Sequence, residues 1–283
     1  MDLHSKKAAA ISHLTRCGSA VVALSGGVDS AVLLSLALEA LGPERLLAAT
    51  GSSPALAAAD LEAARQVAAA LGAPHIVVPT REIERPGYRA NRGDRCFHCR
   101  SELFETLGRL ARERGLDRVV YGAIADDRGD ERPGMRAAKQ LGAVAPLLEA
   151  GLGKREVREL ATAAGLPVAD RPANACLASR IPVGSVVTAE KLTRIERAEE
   201  SLGKLGFEQL RVRDHGEVAR LELDARSLER LHDAGFRGRV VTAVRDAGFR
   251  FVAVDLEGYR SGSVAGSGST ALQRTGPTRD GGQ

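Results

Sequence analysis

Short apolar runs at 21–24, 46–50, 75–78 and 118–122 alternate along the chain with segments at 31–41, 60–71 and 100–114 whose apolar residues recur at helical spacing. Continuous rather than alternating apolar runs suit strands buried on both faces, and their alternation with helices is the pattern of a parallel α/β sheet. Each helical segment ends at or near a glycine, Gly42, Gly72 or Gly115, the residue that most readily closes a helix in the left-handed conformation. Right-handed crossovers would put the four strands in one sheet, with the loop after the first strand at its carboxyl edge.

The pattern changes near 182–188, where Ile181-Pro182-Val183-Gly184 gives way to a helix that Thr188 would cap. Beyond it the sequence predicts a helix over 189–205, strands at 209–213 and 218–223, helical 225–234, further helix from Gly238 and a last strand at 251–256. The predicted organisation is a phosphate-loop α/β domain at 1–185, a small α+β domain at 186–260 serving substrate binding or oligomerisation, and a disordered tail at 261–283, rich in Gly, Ser, Thr and Arg.

Composition narrows the function classes. The 283 residues are 44% hydrophobic, enough for a sizeable core, and carry a net charge of +4 with basic and acidic residues interspersed. That is a mild preference for anionic ligands rather than the footprint of a dedicated nucleic-acid binder, and aromatic content of 3% without Trp offers few surfaces for stacking bases. No apolar stretch approaches the ~20 residues of a membrane span. A cytoplasmic location is expected, and four cysteines, Cys17, Cys96, Cys99 and Cys176, suit metal binding or catalysis better than a disulfide scaffold.

Chemistry concentrates first at Ser25-Gly26-Gly27-Val28-Asp29-Ser30, between the first apolar run and the first helical stretch. Glycines let the backbone curl around an anion, and the unpaired amides of the following helix point into the turn. The lysine-bearing P-loop is absent, because Gly151-Leu152-Gly153-Lys154 is followed by Arg155, and the dinucleotide pattern is absent too. Fixed amides with the Ser25 and Ser30 hydroxyls would stabilise the charge of a nucleotide's phosphates. Asp29 would hold Mg²⁺ or fix the loop, with a helix N-cap as the simpler role.

The cysteines supply the second concentration. Cys96-Phe97-His98-Cys99 has the spacing of a metal pair, a cluster pair or a disulfide, and no second pair of zinc type is present. Cys176 follows Pro172-Ala173-Asn174-Ala175 and lies between Arg171 and Arg180, cations expected to lower its pKa and favour the thiolate. Cys17 reads as a small buried apolar residue.

The phosphate loop resembles that of the enzymes that cleave ATP between its α and β phosphates. Together with residues 172–182, Ala125-Asp126-Asp127, Arg132-Pro133-Gly134 and Pro146-Leu147-Leu148, it resembles the LarE family, ATP-dependent sulfur transferases of nickel-pincer nucleotide synthesis, over most of residues 1–260. The resemblance implies ATP and Mg²⁺, with Ser25, Gly26, Gly27, Asp29, Ser30, Asp126 and Asp127 at the nucleotide and Cys176 as catalytic residue. It implies adenylation of a carboxylate on a pyridinium biscarboxylate mononucleotide, then conversion to a thiocarboxylate. In one branch of the family this cysteine gives up its own sulfur. In another, three cysteines hold a [4Fe-4S] cluster carrying an extra sulfide, and Cys96, Cys99 and Cys176 favour that branch here.

The substrate's phosphate would call for cations: Arg211 and Arg213 share one face of a predicted strand, a solvated charged face being the competing reading, and Arg180 and Glu200 join them through the resemblance. The closing Tyr259-Arg260-Ser261-Gly262-Ser263 also resembles the family, whereas Ile124 and Gly51-Ser52-Ser53-Pro54 depart from it. Expected partners are a small nucleotide substrate, a sulfur donor and a second copy of the chain, without nucleic acid or membrane. A tRNA-thiolating enzyme, an ammonia-dependent NAD synthetase-like ligase and a non-enzymatic nucleotide sensor are the other readings.

Overall fold

Four runs of mostly buried aliphatic residues form one parallel sheet: β1 (Ala20–Ala23), β2 (Leu46–Ser52), β3 (His75–Pro79) and β4 (Arg118–Tyr121), ordered β3-β2-β1-β4. The structure is a computed structural model and describes residues 1–127, 133–172 and 174–259. The expected tail at 261–283 and the motif residues Arg132, Ala173, Arg260, Ser261, Gly262 and Ser263 lie outside them.

Helices cover both faces of this sheet. Period-two alternation sends Ala20, Val22 and Ala48 to one face, where they pack with α1 (Leu3–Thr15), α2 (Val28–Leu41) and α8 (Lys154–Ala163). Val21, Leu47, Ala49, Val119 and Tyr121 go to the other, against Phe104, Leu107 and Leu110 of α5 (Arg95–Glu113). Between these elements lie α3 (Ala58–Ala70), α4 (Pro86–Ala90), α6 (Pro133–Gln140) and α7 (Pro146–Glu149). The chain builds outward from β1 through β2 to β3, then returns to place β4 on the other side of β1. That reversal opens a crevice at the carboxyl ends of β1 and β4, where the glycine loop lies.

The second sheet is mixed. β5 (Leu210–His215) pairs antiparallel with β6 (Val218–Leu223), and β6 pairs parallel with β7 (Phe251–Val254). Helices α9 (Ala189–Lys204) and α11 (Ala234–Asp246) pack on it, and α10 (Ala225–Arg230) is a separate short helix, so the helical stretch predicted at 225–234 is divided. Thr188 caps α9 by accepting the Lys191 amide. This core also takes in Ala55, Tyr88, Leu177, Ala178 and Ile181. The segment bearing Cys176 is therefore packed into the second core although it precedes residue 186. No helix among the described residues is long and apolar enough to cross a membrane.

Candidate functional site

The glycine turn sits directly on β1. Gly26 has φ of +77°, and a Cβ there would lie 2.1 Å from the Asp60 carbonyl oxygen, so only glycine allows the loop to press against α3. Gly122, at the end of β4, plays the matching role on the other side: a Cβ would meet the Ser30 amide nitrogen at 2.9 Å. Ser30 Oγ accepts from the Ser25 amide at 3.1 Å and donates to Gly27 O at 2.9 Å, closing the loop on itself. The first main-chain bond of the turn runs from Ala31 N–H to Gly27 O, leaving the amides at Val28, Asp29 and Ser30 at the open helix end. Asp29 does not cap α2 by a side-chain hydrogen bond, because Gly27 holds the N-cap position.

Lys154 supplies the positive charge that the loop lacks. Its Nζ lies 2.8 and 2.9 Å from the two carboxylate oxygens of Asp29, and it opens α8. Asp126 Oδ2 accepts the Lys154 amide at 2.7 Å, and Asp127 Oδ2 accepts the Ile124 amide at 3.0 Å. Both aspartates thus shape the turn after β4. Ile124, where a polar residue would suit the family pattern, is buried in the core behind it.

The thiols come from two segments. Helix α5 begins earlier than the 100–114 pattern indicates, so Cys96 and Cys99 lie in its first turns, one turn apart. Cys176 starts the short turn Leu177–Arg180. Burial above all, then Glu82, pushes the Cys99 thiol up, with smaller contributions from Cys176 and Cys96, so the three thiols lie near one another. Cys176 is exposed to solvent, whereas the next two residues, Leu177 and Ala178, are buried.

Burial is the main influence on Cys176 and pushes its pKa up, outweighing the opposing pull of Arg95 and Arg180. Of the two cations expected to favour the thiolate, Arg180 does pull the pKa down, by less than burial raises it. Arg171 turns away to Gly26 O, Ala59 O and Asp60. Arg180, only 2% exposed, pairs with Glu199 through two hydrogen bonds of 2.9 and 3.1 Å and donates to the carbonyls of Ala175 and Cys176.

Arg211 and Arg213 share a face of β5 and are buried, which removes the solvated-face reading. Arg213 meets Glu222 at 2.9 and 3.0 Å and donates to Ser179 O at 2.7 Å, beside the Cys176 turn. Arg211 lies over the Tyr259 ring, 4.7 Å from its centroid. Glu200 is exposed on α9, and its charge helps raise the pKa of Glu196, after the larger effect of burial.

A model of the NAD synthase family matches residues 10–113. The pyridinium-3,5-bisthiocarboxylic acid mononucleotide synthase of Lactiplantibacillus plantarum, a LarE protein, is 33% identical over 93% of this chain and 94% of its own length. The chain belongs to the LarE family. An uncharacterized protein of Synechocystis is 42% identical over 87% of this chain and 91% of its own, and one of Methanocaldococcus jannaschii is 27% identical over 85% and 90%.

In this LarE-family chain, several residues beside the two loops were not singled out from sequence. Lys154 stands in sequence only as part of an incomplete P-loop pattern, and nothing local marks it as the partner of Asp29. Glu199 rather than Glu200 holds Arg180, and Asp60 meets both Arg171 and Asn174. Glu82 and Tyr88 are buried near Cys99, and the Tyr88 hydroxyl has no hydrogen-bond partner.

The residues present differ in what they fit. Among the described residues, no three His, Cys, Asp or Glu side chains are grouped as a single metal ion requires. A four-iron cluster spaces its thiolates more widely than one ion does. Cys96, Cys99 and Cys176 are free thiols, the donor type that such a cluster takes, and Arg95 acts on Cys176.

Proposed function

We propose that the protein is an ATP-dependent sulfur transferase that adenylates a carboxylate of a pyridinium biscarboxylate mononucleotide and converts it to a thiocarboxylate. The observation that carries this reading is the bonding of the Cys176 segment to the phosphate loop, through Arg171 to Gly26 O at 3.0 Å. Activation and sulfur delivery then share one crevice.

In the first step a carboxylate oxygen attacks the α-phosphorus and the bond to the bridging oxygen breaks. Pyrophosphate leaves towards the amides of residues 25–30, with Lys154 offsetting its charge. Asp29, Asp126 and Asp127 are the carboxylates available to hold Mg²⁺ there. In the second step sulfur attacks the acyl carbon and AMP departs with the electrons of the broken C–O bond. Arg213, beside the Cys176 turn, and Arg211 would meet the substrate's phosphate, with Glu200 on the neighbouring helix.

Cys96, Cys99 and Cys176 would hold a [4Fe-4S] cluster, which when bound supplies a sulfide that an external donor renews. The runner-up is sacrificial, and the solvent access of Cys176 favours it. There the Cys176 thiolate forms a thioester, loss of its α-proton breaks the Cβ–S bond, and thiocarboxylate leaves a dehydroalanine behind. Anaerobic reconstitution followed by iron and sulfide analysis separates the two. Bound iron with repeated turnover supports the cluster route, whereas no iron and a mass loss of one H₂S per chain sinks it in favour of the sacrificial one. Cys176→Ala should still release pyrophosphate but transfer no sulfur; failure to adenylate would make this cysteine structural.

A further inference from the structure

A continuous run of polar contacts joins the phosphate loop to Cys176. Arg171 Nη1 donates to Gly26 O at 3.0 Å, and its Nη2 donates to Ala59 O at 3.1 Å while lying 2.9 Å from Asp60 Oδ1. The other Asp60 oxygen accepts from Asn174 Nδ2 at 3.4 Å, and Asn174 Oδ1 accepts from Arg180 Nη2 at 3.0 Å. Arg180 Nη1 in turn donates to Ala175 O at 2.5 Å and to Cys176 O at 3.3 Å.

Both ends are rigid. Arg180 is clamped by Glu199 of α9, and Asp60 sits in the first turn of α3, whose backbone presses on Gly26. The middle is not: residues 171, 172 and 174–176 lie outside any helix or strand, so side-chain bonds help to set their path. Arg171 also presents its fork to a carbonyl of the phosphate loop rather than to the space above it. A guanidinium whose task was to bind the phosphates would face the open helix end. This one instead fixes the loop from behind.

We infer that Arg171 and Asn174 are positioning residues that hold Cys176 in register with the phosphate loop, so that filling the loop is felt at the thiol. The inference rests on the assignment of residues 25–30 to the nucleotide's phosphates. Its chemical purpose is orientation: acyl transfer needs the sulfur within ~3–3.5 Å of the acyl carbon, and small misplacements are costly in rate. A bond network that includes both loops ties the position of Cys176, whether it gives its own sulfur or holds the group that does, to that of the activated group.

The test uses the full chain, reduced and metal-free, with Cys176 alkylation by iodoacetamide read by peptide mass spectrometry. Rates are compared with and without Mg²⁺ and an ATP analogue whose α–β bridge is methylene, at fixed pH. In the parent protein the analogue should change the alkylation rate by about 5-fold or more, the lower range of coupling between sites. Asn174→Ala, on an exposed loop position, and Arg171→Lys, which keeps the charge but loses the fork, should bring that ratio towards one. Calorimetry should show the analogue still bound to Asn174→Ala. In single turnover this variant should keep its pyrophosphate burst and slow in sulfur transfer, a split that general loosening would not give.

An undiminished ratio in both variants, or no rate change in the parent with the analogue demonstrably bound, overturns the inference alone. No binding of the analogue to the parent overturns the phosphate-site reading and the inference with it.

Discussion

Lys154 Nζ is 2.8 Å from Asp29 Oδ1, an ion pair between the first turn of α8 and the first turn of α2 across 125 residues of sequence. The pair puts a cation at the mouth of a phosphate loop that has no lysine of its own, where developing negative charge on a leaving pyrophosphate would meet it. Lys154→Met should raise KM for ATP by roughly 10- to 100-fold, the range of a lost charge-assisted hydrogen bond. Steady-state pyrophosphate release measures it, and an unchanged KM would remove Lys154 from the nucleotide site.

The two loop glycines make unequal demands. Gly26→Ala would drive a methyl to 2.1 Å from Asp60 O at a φ of +77°, whereas at Gly27 the nearest atom is Ser25 Oγ at 3.6 Å. Gly26→Ala should abolish nucleotide binding by calorimetry, and Gly27→Ala should leave it measurable. Equal losses would mean that the loop needs backbone freedom at both positions rather than close approach at one.

Arg180 and Glu199 form a buried pair, with side chains 2% and 17% exposed. Removing the guanidinium as Arg180→Met leaves Glu199 with the Val212 amide but no counter-charge, and the Ala175 and Cys176 carbonyls without this donor, and should cost about 3–5 kcal/mol of stability. Adding Glu199→Gln to that variant should recover part of the loss, because the stranded charge is gone. Denaturant melts of the two variants provide the comparison, and a double variant no more stable than the single one would contradict it.

His75 bonds Thr50 Oγ1 at 2.9 Å, and the same oxygen donates to Leu24 O at 2.8 Å at the end of β1. Burial, with a smaller contribution from Arg65, holds the His75 pKa below its usual 6.5. The unfolded chain therefore takes up this proton first as pH falls. The stability contributed by neutral His75 is present above 6.5 and is lost as pH drops through the folded value. His75→Gln should flatten that part of the stability–pH curve, and an NMR titration should place the imidazole midpoint below 6.5.

Strands and helices of the first sheet were legible because they are written locally. Val21 and Val22 lie in an uninterrupted apolar run, and the Ala31 to Leu41 stretch holds so many apolar residues because α2 is buried on most sides. The boundaries were less legible where a helix starts on polar residues. Helix α5 begins at Arg95, in sequence that shows no apolar period, so the cysteine pair's helical setting came only with packing.

The site shows the same division. Glu199 and Glu200 are adjacent and chemically alike, but one step along a helix turns a side chain by about 100°, so only Glu199 faces Arg180. Arg171 and Arg180 both flank Cys176 closely in sequence, yet one reaches to Gly26 and the other donates to the Cys176 carbonyl.

The sequence by itself determined the α/β sheet, the glycine turn after β1 and the presence of three cysteines beyond the buried Cys17, because backbone curvature, periodicity and residue chemistry are carried by neighbours in the chain. The tertiary structure decided which cation serves which anion. Lys154 goes to Asp29, Arg171 to Asp60, Arg180 to Glu199 and Arg213 to Glu222. A charge acts through space with a strength set by distance and burial, and neither quantity exists until the chain has folded.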